Sequence, residues 1–172
     1  MLRVGGLTRC SASDYPGKLA AVVFCQGCGW RCGYCHNPEL QGARGREEIA
    51  WPEVLAFLER RRGLLDAVVF SGGEPTQQRG LAQAMVDVKT MGFLVGLHTA
   101  GIVPWRLEKV LPLVDWVAMD VKAKFDEHES VTRVRGSAMR ARQSRDLILR
   151  SGVACELHTL SRAGSAPGRA PA

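Results

Sequence analysis

The sequence predicts an α/β fold in which a parallel sheet closes only part of a barrel. Short apolar runs rich in β-branched residues alternate along the chain with longer amphipathic stretches, the pattern expected of βαβ units. The chain has 172 residues, 46% hydrophobic and 23% charged, a composition typical of one globular domain. About five βαβ units fit into this length, which is too few for a complete barrel.

Each predicted strand is a short apolar run. The five runs are 20–25 (AAVVFC), 67–71 (AVVFS), 93–98 (FLVGLH), 116–121 (WVAMDV) and a weaker one at 153–159. Because parallel neighbours need a crossover connection, a helix is expected between consecutive strands.

The predicted helices cover 51–62, 79–91, 104–113 and 137–150. In the first of them Pro52 suits the first helical turn, and apolar residues at 54, 55, 57 and 58 fall on one side.

Polar or glycine-rich segments follow four of the predicted strands. A cysteine-rich loop follows the first strand, and the others are 71–75 (SGGEP), 98–101 (HTAG) and 119–122 (MDVK). The carboxyl ends of parallel strands meet at one edge of a sheet. We therefore expect these four segments to form one site.

Charge is distributed unevenly. The net charge is +6, and the whole excess lies in 133–172, which holds eight basic and two acidic residues. A solvated helix face is the favoured interpretation, with nucleic acid, membrane or an acidic partner as the functional one. The last part, 161–172, is low in complexity and is predicted to be a disordered tail after a domain of 1–160.

No apolar run approaches the length of a membrane span, and the first residues lack the apolar segment of a signal peptide. We therefore expect a cytoplasmic protein. Six cysteines in such a chain favour metal or redox chemistry over disulfides. Cys10 and Cys155, isolated in the sequence, are expected to be buried as small apolar residues.

Cys28, Cys32 and Cys35 are spaced C-x3-C-x2-C in a glycine-containing loop. Thiolates are ligands for zinc, copper(I) and iron-sulfur clusters. Three cysteines on a four-iron cluster leave one iron open for a substrate or cofactor, so this cluster is the favoured interpretation.

Zinc is the alternative, because Cys25 with Cys28 and Cys32 with Cys35 form two C-x2-C pairs beside His36. Structural zinc sites usually separate such pairs by a dozen or more residues, and here only three intervene. Cys25 falls at the end of the first strand, where it is expected to pack in the sheet.

The chain resembles the radical S-adenosylmethionine (SAM) activases of glycyl radical enzymes. Three segments carry the resemblance: 14–19 (DYPGKL), 22–40 (VVFCQGCGWRCGYCHNPEL) and 71–78 (SGGEPTQQ). The cysteine motif with an aromatic residue before its last cysteine is highly specific, and the following His-Asn-Pro is typical of activases. The resemblance runs from about Gly5 to about Thr159 and is greatest to the anaerobic ribonucleoside-triphosphate reductase activating type, which is similar to pyruvate formate-lyase activating enzyme.

The resemblance implies an anaerobic oxidoreductase with a partial, open TIM-like barrel of five to six parallel strands. Its cofactors would be SAM and a [4Fe-4S] cluster held by Cys28, Cys32 and Cys35. The implied SAM contacts are Tyr34 and His36 for the adenine; Gly72, Gly73 and Glu74 for the methionyl amino group; Asp120 and Lys122 near the ribose or methionyl carboxylate; and Thr99. No catalytic residue beyond these ligands is implied.

The implied partners are a glycyl radical enzyme as protein substrate and a flavodoxin or ferredoxin-type electron donor, without membrane or nucleic acid. One alternative is a small-molecule radical SAM enzyme such as a deazapurine-forming synthase. The other is a zinc-stabilised module that binds nucleic acid through its arginine-rich region.

The sequence departs from the family at two places. His98-Thr99-Ala100-Gly101 stands where many relatives have Asp-Thr-Asn-Gly, so a carboxylate is replaced by an imidazole. Beyond the fifth strand the low-complexity tail replaces a further β/α unit, so a C-terminal truncation is expected.

Overall fold

A computed structural model describes residues 1–159. The predicted tail at 161–172 lies outside the described residues. The strands are β1 (Val4–Ser11), β2 (Ala20–Cys25), β3 (Ala67–Gly72), β4 (Leu94–Thr99), β5 (Trp116–Val121) and β6 (Ala154–Thr159). The α-helices are α1 (Trp51–Glu59), α2 (Leu81–Thr90), α3 (Pro104–Val110), α4 (His128–Thr132) and α5 (Ser137–Ser151), with 3₁₀ turns at Pro38–Leu40, Pro75–Gln77 and Leu111–Leu113.

The six strands form one sheet in the order β1-β2-β3-β4-β5-β6. β2 to β6 are parallel, and β1 pairs antiparallel with β2. The predicted open α/β fold is confirmed: within residues 1–159 the sheet is open, and its two edge strands are β1 and β6. β1 was not predicted, because its VGGLTRCS sequence lacks a β-branched run.

The two faces of the sheet are covered differently. Alternate residues such as Val68, Phe70 and Leu97 pack against the helices in the main core. The opposite face carries a smaller core in which Tyr15 packs with Val69 and Trp116. The Tyr15 and Trp116 rings lie 5.1 Å apart. Tyr15 thus covers part of this face, and the cavity at the carboxyl ends of the strands also borders its neighbours Asp14 and Pro16.

The helices and the cysteines show some differences from the sequence expectations. α1 ends at Glu59, three residues early, and the predicted third helix ends as a 3₁₀ turn because Pro112 cannot donate a helical hydrogen bond. Cys25 is fully buried, as predicted. The prediction for Cys10 is wrong, since β1 lies at the sheet edge and leaves Cys10 exposed, and Cys155 on edge strand β6 is only half-buried. No helix within the described residues is long and apolar enough to cross a membrane.

Candidate functional site

The carboxyl ends of the strands surround a cavity of about 740 Å³. All four segments expected to share a site contribute to its wall: Cys28, Cys32 and Cys35; Ser71, Gly72 and Gly73; His98, Thr99 and Ala100; Asp120 and Lys122. The four segments therefore border one cavity, as expected, and their action as one ligand site stays a prediction.

The cysteine loop is held by backbone hydrogen bonds. Gly27 N donates to Leu40 O at 2.8 Å, and Cys28 N donates to Gln41 O at 3.2 Å. Cys28, Cys32 and Cys35 are half-buried along one wall of the cavity, whereas Cys25 is enclosed in β2. The loop thus presents three thiols, not four, to the same space.

The donor set fits a polynuclear cluster. Cys28, Cys32 and Cys35 line the cavity while Cys25 does not, and three thiols are the number that leaves one iron of a four-iron cluster open. Burial raises the pKa of Cys28 to about 11 and also raises the pKa of Cys32. A bound metal group would therefore be needed to hold these two cysteines as thiolates.

The glycine turn after β3 packs directly on the cysteine loop. Gly72 has a φ of 105°, and a Cβ there would lie 2.4 Å from Cys25 N. Gly73 N donates to Cys25 O, and Glu74 N donates to Gly27 O, both at 2.9 Å. The two glycines let the turn approach the loop without a side chain between them.

We expect Gly73→Ala to weaken SAM binding at least about tenfold and to lower the free energy of unfolding by about 1–3 kcal/mol. The added Cβ would lie 2.4 Å from the carbonyl oxygen of Gly27, so backbone must move. Gly6→Ala is the matched control, since its Cβ would make only ordinary contacts, the nearest at 3.7 Å. Urea unfolding and equilibrium SAM binding measure both effects, and equal results for the two variants would contradict the prediction.

Glu74 has a different place from the one implied by the resemblance. Its side chain is completely buried. One carboxylate oxygen accepts hydrogen bonds from Thr76 N (3.0 Å), Thr76 Oγ1 (2.5 Å) and Thr99 Oγ1 (2.6 Å), and the other accepts one from Ala100 N (2.9 Å). Burial raises the pKa of Glu74, and these four donors oppose that shift. The carboxylate therefore joins the turn after β3 to the end of β4, and the glycine backbone is the part of this turn that lines the cavity.

Tyr34 connects the cysteine loop to the end of β5. Its hydroxyl donates to the carbonyl oxygen of Lys122, and its side chain remains 38% exposed. Burial raises the pKa of Tyr34 to about 12. His36 is exposed and also lines the cavity. Both side chains are thus within reach of a ligand in the cavity.

Asp120 and Lys122 form an ion pair at the end of β5, with 2.8 Å between Nζ and Oδ2. Burial acts to raise the pKa of Asp120, but the charge and hydrogen bond of Lys122 outweigh it and lower the pKa. His158 Nδ1 lies 3.4 Å from the other oxygen of Asp120, and His158 Nε2 lies 3.3 Å from Glu156 Oε2. The pair therefore extends into a polar strip along β5 and β6.

Sequence reasoning missed Glu156 and His158, although both line the cavity. They pair in register with Ala118 and Asp120. The available signal was their i, i+2 spacing in the fifth predicted strand, which places them on one face.

His98, the residue at the first departure from the family, holds the loop between β1 and β2. Its Nε2 donates to the carbonyl oxygen of Asp14 at 2.9 Å, and its Nδ1 lies 3.4 Å from Ser71 Oγ. Its ring contacts the Trp116 ring edge-on, with 5.5 Å between centroids. Burial lowers the pKa of His98, so the imidazole is neutral at pH 7.

The His98→Gln variant is expected to lose less stability than the wild type between pH 7 and pH 5. A folded-state pKa below the ordinary value of about 6.5 means that the unfolded chain binds the proton more readily, so stability falls as pH drops below that value. Glutamine removes the titrating group. Free energies of unfolding in urea at the two pH values test this, and equal pH dependence in the two proteins would contradict it.

Comparisons with known proteins show the family to which the chain belongs. Residues 22–158 match the family model of the radical SAM superfamily. The chain is 38% identical over 142 residues to a protein of Methanocaldococcus jannaschii named as a glycyl-radical enzyme activating enzyme, covering 77% of this chain and 55% of that protein. It is 34% identical over 135 residues to the pyruvate formate-lyase-activating enzyme of Clostridium pasteurianum, covering 74% of this chain and 55% of that enzyme.

Solved structures share the fold. QueE from Escherichia coli superposes with a TM-score of 0.53 at 14% identity, covering 93% of this chain and 84% of that chain. The chain spans about half the length of the curated relatives that it matches. The family model covers most of the chain and includes both the three-cysteine loop and the strand ends around the cavity. The chain therefore belongs to the radical SAM superfamily.

Proposed function

We propose that the protein binds a [4Fe-4S] cluster through Cys28, Cys32 and Cys35, cleaves SAM reductively, and generates a glycyl radical on a partner enzyme. The observation that supports this most directly is that the three thiols, the Gly72–Gly73 turn and the Asp120–Lys122 pair line one cavity. The relatives named as activating enzymes of glycyl radical enzymes support the choice of reaction.

The chain's own residues have separable roles in this proposal. The backbone at Gly72 and Gly73 receives the methionyl amino group, since it offers polar groups without side chains. Lys122 supplies a cation for the methionyl carboxylate, and Asp120 accepts a hydrogen bond from a ribose hydroxyl. Tyr34 and His36 border the position of the adenine, and Glu74 and Thr99 hold the turn and β4 in place.

Held by Cys28, Cys32 and Cys35 and by the cavity wall, the cluster and SAM would supply one-electron reductive cleavage of the sulfonium. Removal of a hydrogen atom from a glycine Cα requires that a loop of the partner reach the same cavity. Within residues 1–159 the cavity lies at the carboxyl ends of the strands of an open sheet. The anaerobic ribonucleoside-triphosphate reductase is the first partner to test.

Anaerobic reconstitution with iron and sulfide tests the proposal. We expect about four irons per chain, a thiolate-to-iron absorption band on the order of 400 nm, and 5′-deoxyadenosine on addition of dithionite and SAM. Electron paramagnetic resonance of a mixture with the purified reductase should then show a glycyl radical. Zinc in a colourless protein would overturn the proposal, and cleavage of SAM without any radical on a glycyl radical enzyme would favour a small-molecule substrate.

A further inference from the structure

The arginine-rich stretch at 133–150 contributes no residue to the wall of the cavity. Residues 133–150 contain six arginines and a single acidic residue, Asp146. Four of these arginines are exposed, two of them before α5 and two in its first half: Arg133, Arg135, Arg140 and Arg142. With the preceding turn included, residues 124–150 still hold seven basic and four acidic residues.

This basic surface begins at the cysteine loop itself. Arg31 N donates to Thr132 O at 2.9 Å, and the Arg31 guanidinium donates to the carbonyl oxygens of Trp30 and Cys28. A Cβ on Gly33 would lie 3.6 Å from Nη2 of Arg133. Two guanidinium groups therefore lie against the outer side of the loop that carries the thiols.

Arg133 is held there at a conformational cost. With a φ of 57° and a ψ of 31° it ends α4 in the left-handed region, and within residues 1–159 it is the only residue other than glycine with a positive φ. Glycine or asparagine normally occupies such a position. Within the same residues Arg133 forms no ion pair with a carboxylate, so an intramolecular salt bridge does not explain its side chain.

A chain of aromatic contacts connects the arginines of α5 to the cysteine loop. The guanidinium carbons of Arg142 and Arg145 lie 4.8 Å and 5.2 Å from the centre of the Phe125 ring. Phe125 stacks on His128 at 6.4 Å, and the His128 ring contacts Trp30 in the cysteine loop at 4.9 Å. The positive charges are thus fixed relative to the thiols and do not belong to a separate element.

We propose that Arg31, Arg133, Arg135 and Arg142, here named the arginine face, form the docking surface for an acidic one-electron carrier protein. This inference rests on the proposed function, because the carrier would deliver its electron to a cluster on the other side of the loop. Opposite charge raises the rate of encounter and fixes the orientation of two proteins. Nucleic acid would also bind arginines, but it would not require two of them, Arg31 and Arg133, to lie at the loop that carries the thiols.

Arg133→Glu and Arg135→Glu test the inference, with Arg150→Glu as the matched control. Arg150 is an exposed arginine at the far end of α5, so its substitution changes the net charge equally. Reduction of the reconstituted protein is followed by the loss of cluster absorbance, with reduced flavodoxin as the carrier. Photoreduced 5-deazariboflavin, which is small and uncharged, serves as the reference reductant.

We expect each of the two face variants to be reduced by flavodoxin at least about tenfold more slowly than the wild type at low ionic strength, with a smaller difference in high salt. Reduction by deazariboflavin should be unchanged, and Arg150→Glu should resemble the wild type. Equal flavodoxin rates for wild type and both face variants would overturn the inference. So would loss of binding to a labelled 20-nucleotide DNA in these variants while flavodoxin reduction stays unchanged.

Binding of oxidised flavodoxin, measured by fluorescence anisotropy, separates this inference from the proposed function. A chain that binds flavodoxin through the arginine face but cleaves no SAM would support docking and overturn the proposed function. A chain that cleaves SAM with deazariboflavin, but whose flavodoxin binding is insensitive to the two substitutions, would support the function and overturn docking.

Discussion

Cys32→Ala is expected to bind no [4Fe-4S] cluster and to form no 5′-deoxyadenosine. The three half-buried thiols line one wall of the cavity, and each would hold a different iron. Alanine at position 32 leaves an iron without its ligand, and the remaining cysteine of this segment, Cys25, is fully buried in β2 and does not line the cavity. Iron content, the absorption band on the order of 400 nm and SAM cleavage should fall together to the background of unreconstituted protein.

Cys25→Ala is the control that distinguishes three ligands from four. Cys25 is fully buried at the end of β2, and burial raises the pKa of its thiol. The variant should keep its iron and its SAM cleavage, and should lose about 1 kcal/mol of stability because a small buried group is removed. Loss of metal in both variants would support the four-cysteine zinc site, and full cleavage by Cys32→Ala would contradict the cluster assignment.

The parallel strands and their common rim were predictable from local signals. Buried parallel strands need apolar residues on both faces, so runs such as AAVVFC are visible in the sequence without knowledge of the fold. The rule that parallel strands end at one edge then placed the polar segments together. β1 gave no such signal, since Gly5 and Gly6 interrupt it and it pairs antiparallel at the sheet edge.

The surroundings of single side chains could not be predicted in the same way. The partners of Glu74 include Thr99 and Ala100, which are 25 and 26 residues away and come close only after β3 and β4 have paired. Arg133 lies beside Gly33 because it adopts the left-handed conformation at the end of α4. An arginine in the sequence gives no sign of that conformation, which glycine or asparagine usually adopts. The sequence thus assigns residues at strand ends to the site, but it does not predict the direction in which their side chains point.

Glu74→Ala is expected to lower the free energy of unfolding by about 3–5 kcal/mol and to abolish SAM binding. Removal of the carboxylate leaves four buried donors without an acceptor: the N–H groups of Thr76 and Ala100, and the hydroxyls of Thr76 and Thr99. Each unsatisfied buried group costs about 1–3 kcal/mol, reduced where it finds a new partner. The turn after β3 would also lose its link to β4, so the glycines would no longer be held against the cysteine loop. Urea unfolding and equilibrium SAM binding measure the two effects.

Glu74→Gln is the matched variant, because it keeps the shape and one oxygen. That oxygen can still accept from Thr76 N, Thr76 Oγ1 and Thr99 Oγ1, while the amide NH₂ group would face the N–H of Ala100, which is itself a donor. The loss of stability should therefore be smaller than in Glu74→Ala, at about 1–2 kcal/mol, and SAM binding should be weakened but measurable. If Glu74→Ala unfolded like the wild type and lost only SAM affinity, the carboxylate would act on the ligand directly, and its assignment as a residue that positions the turn would be wrong.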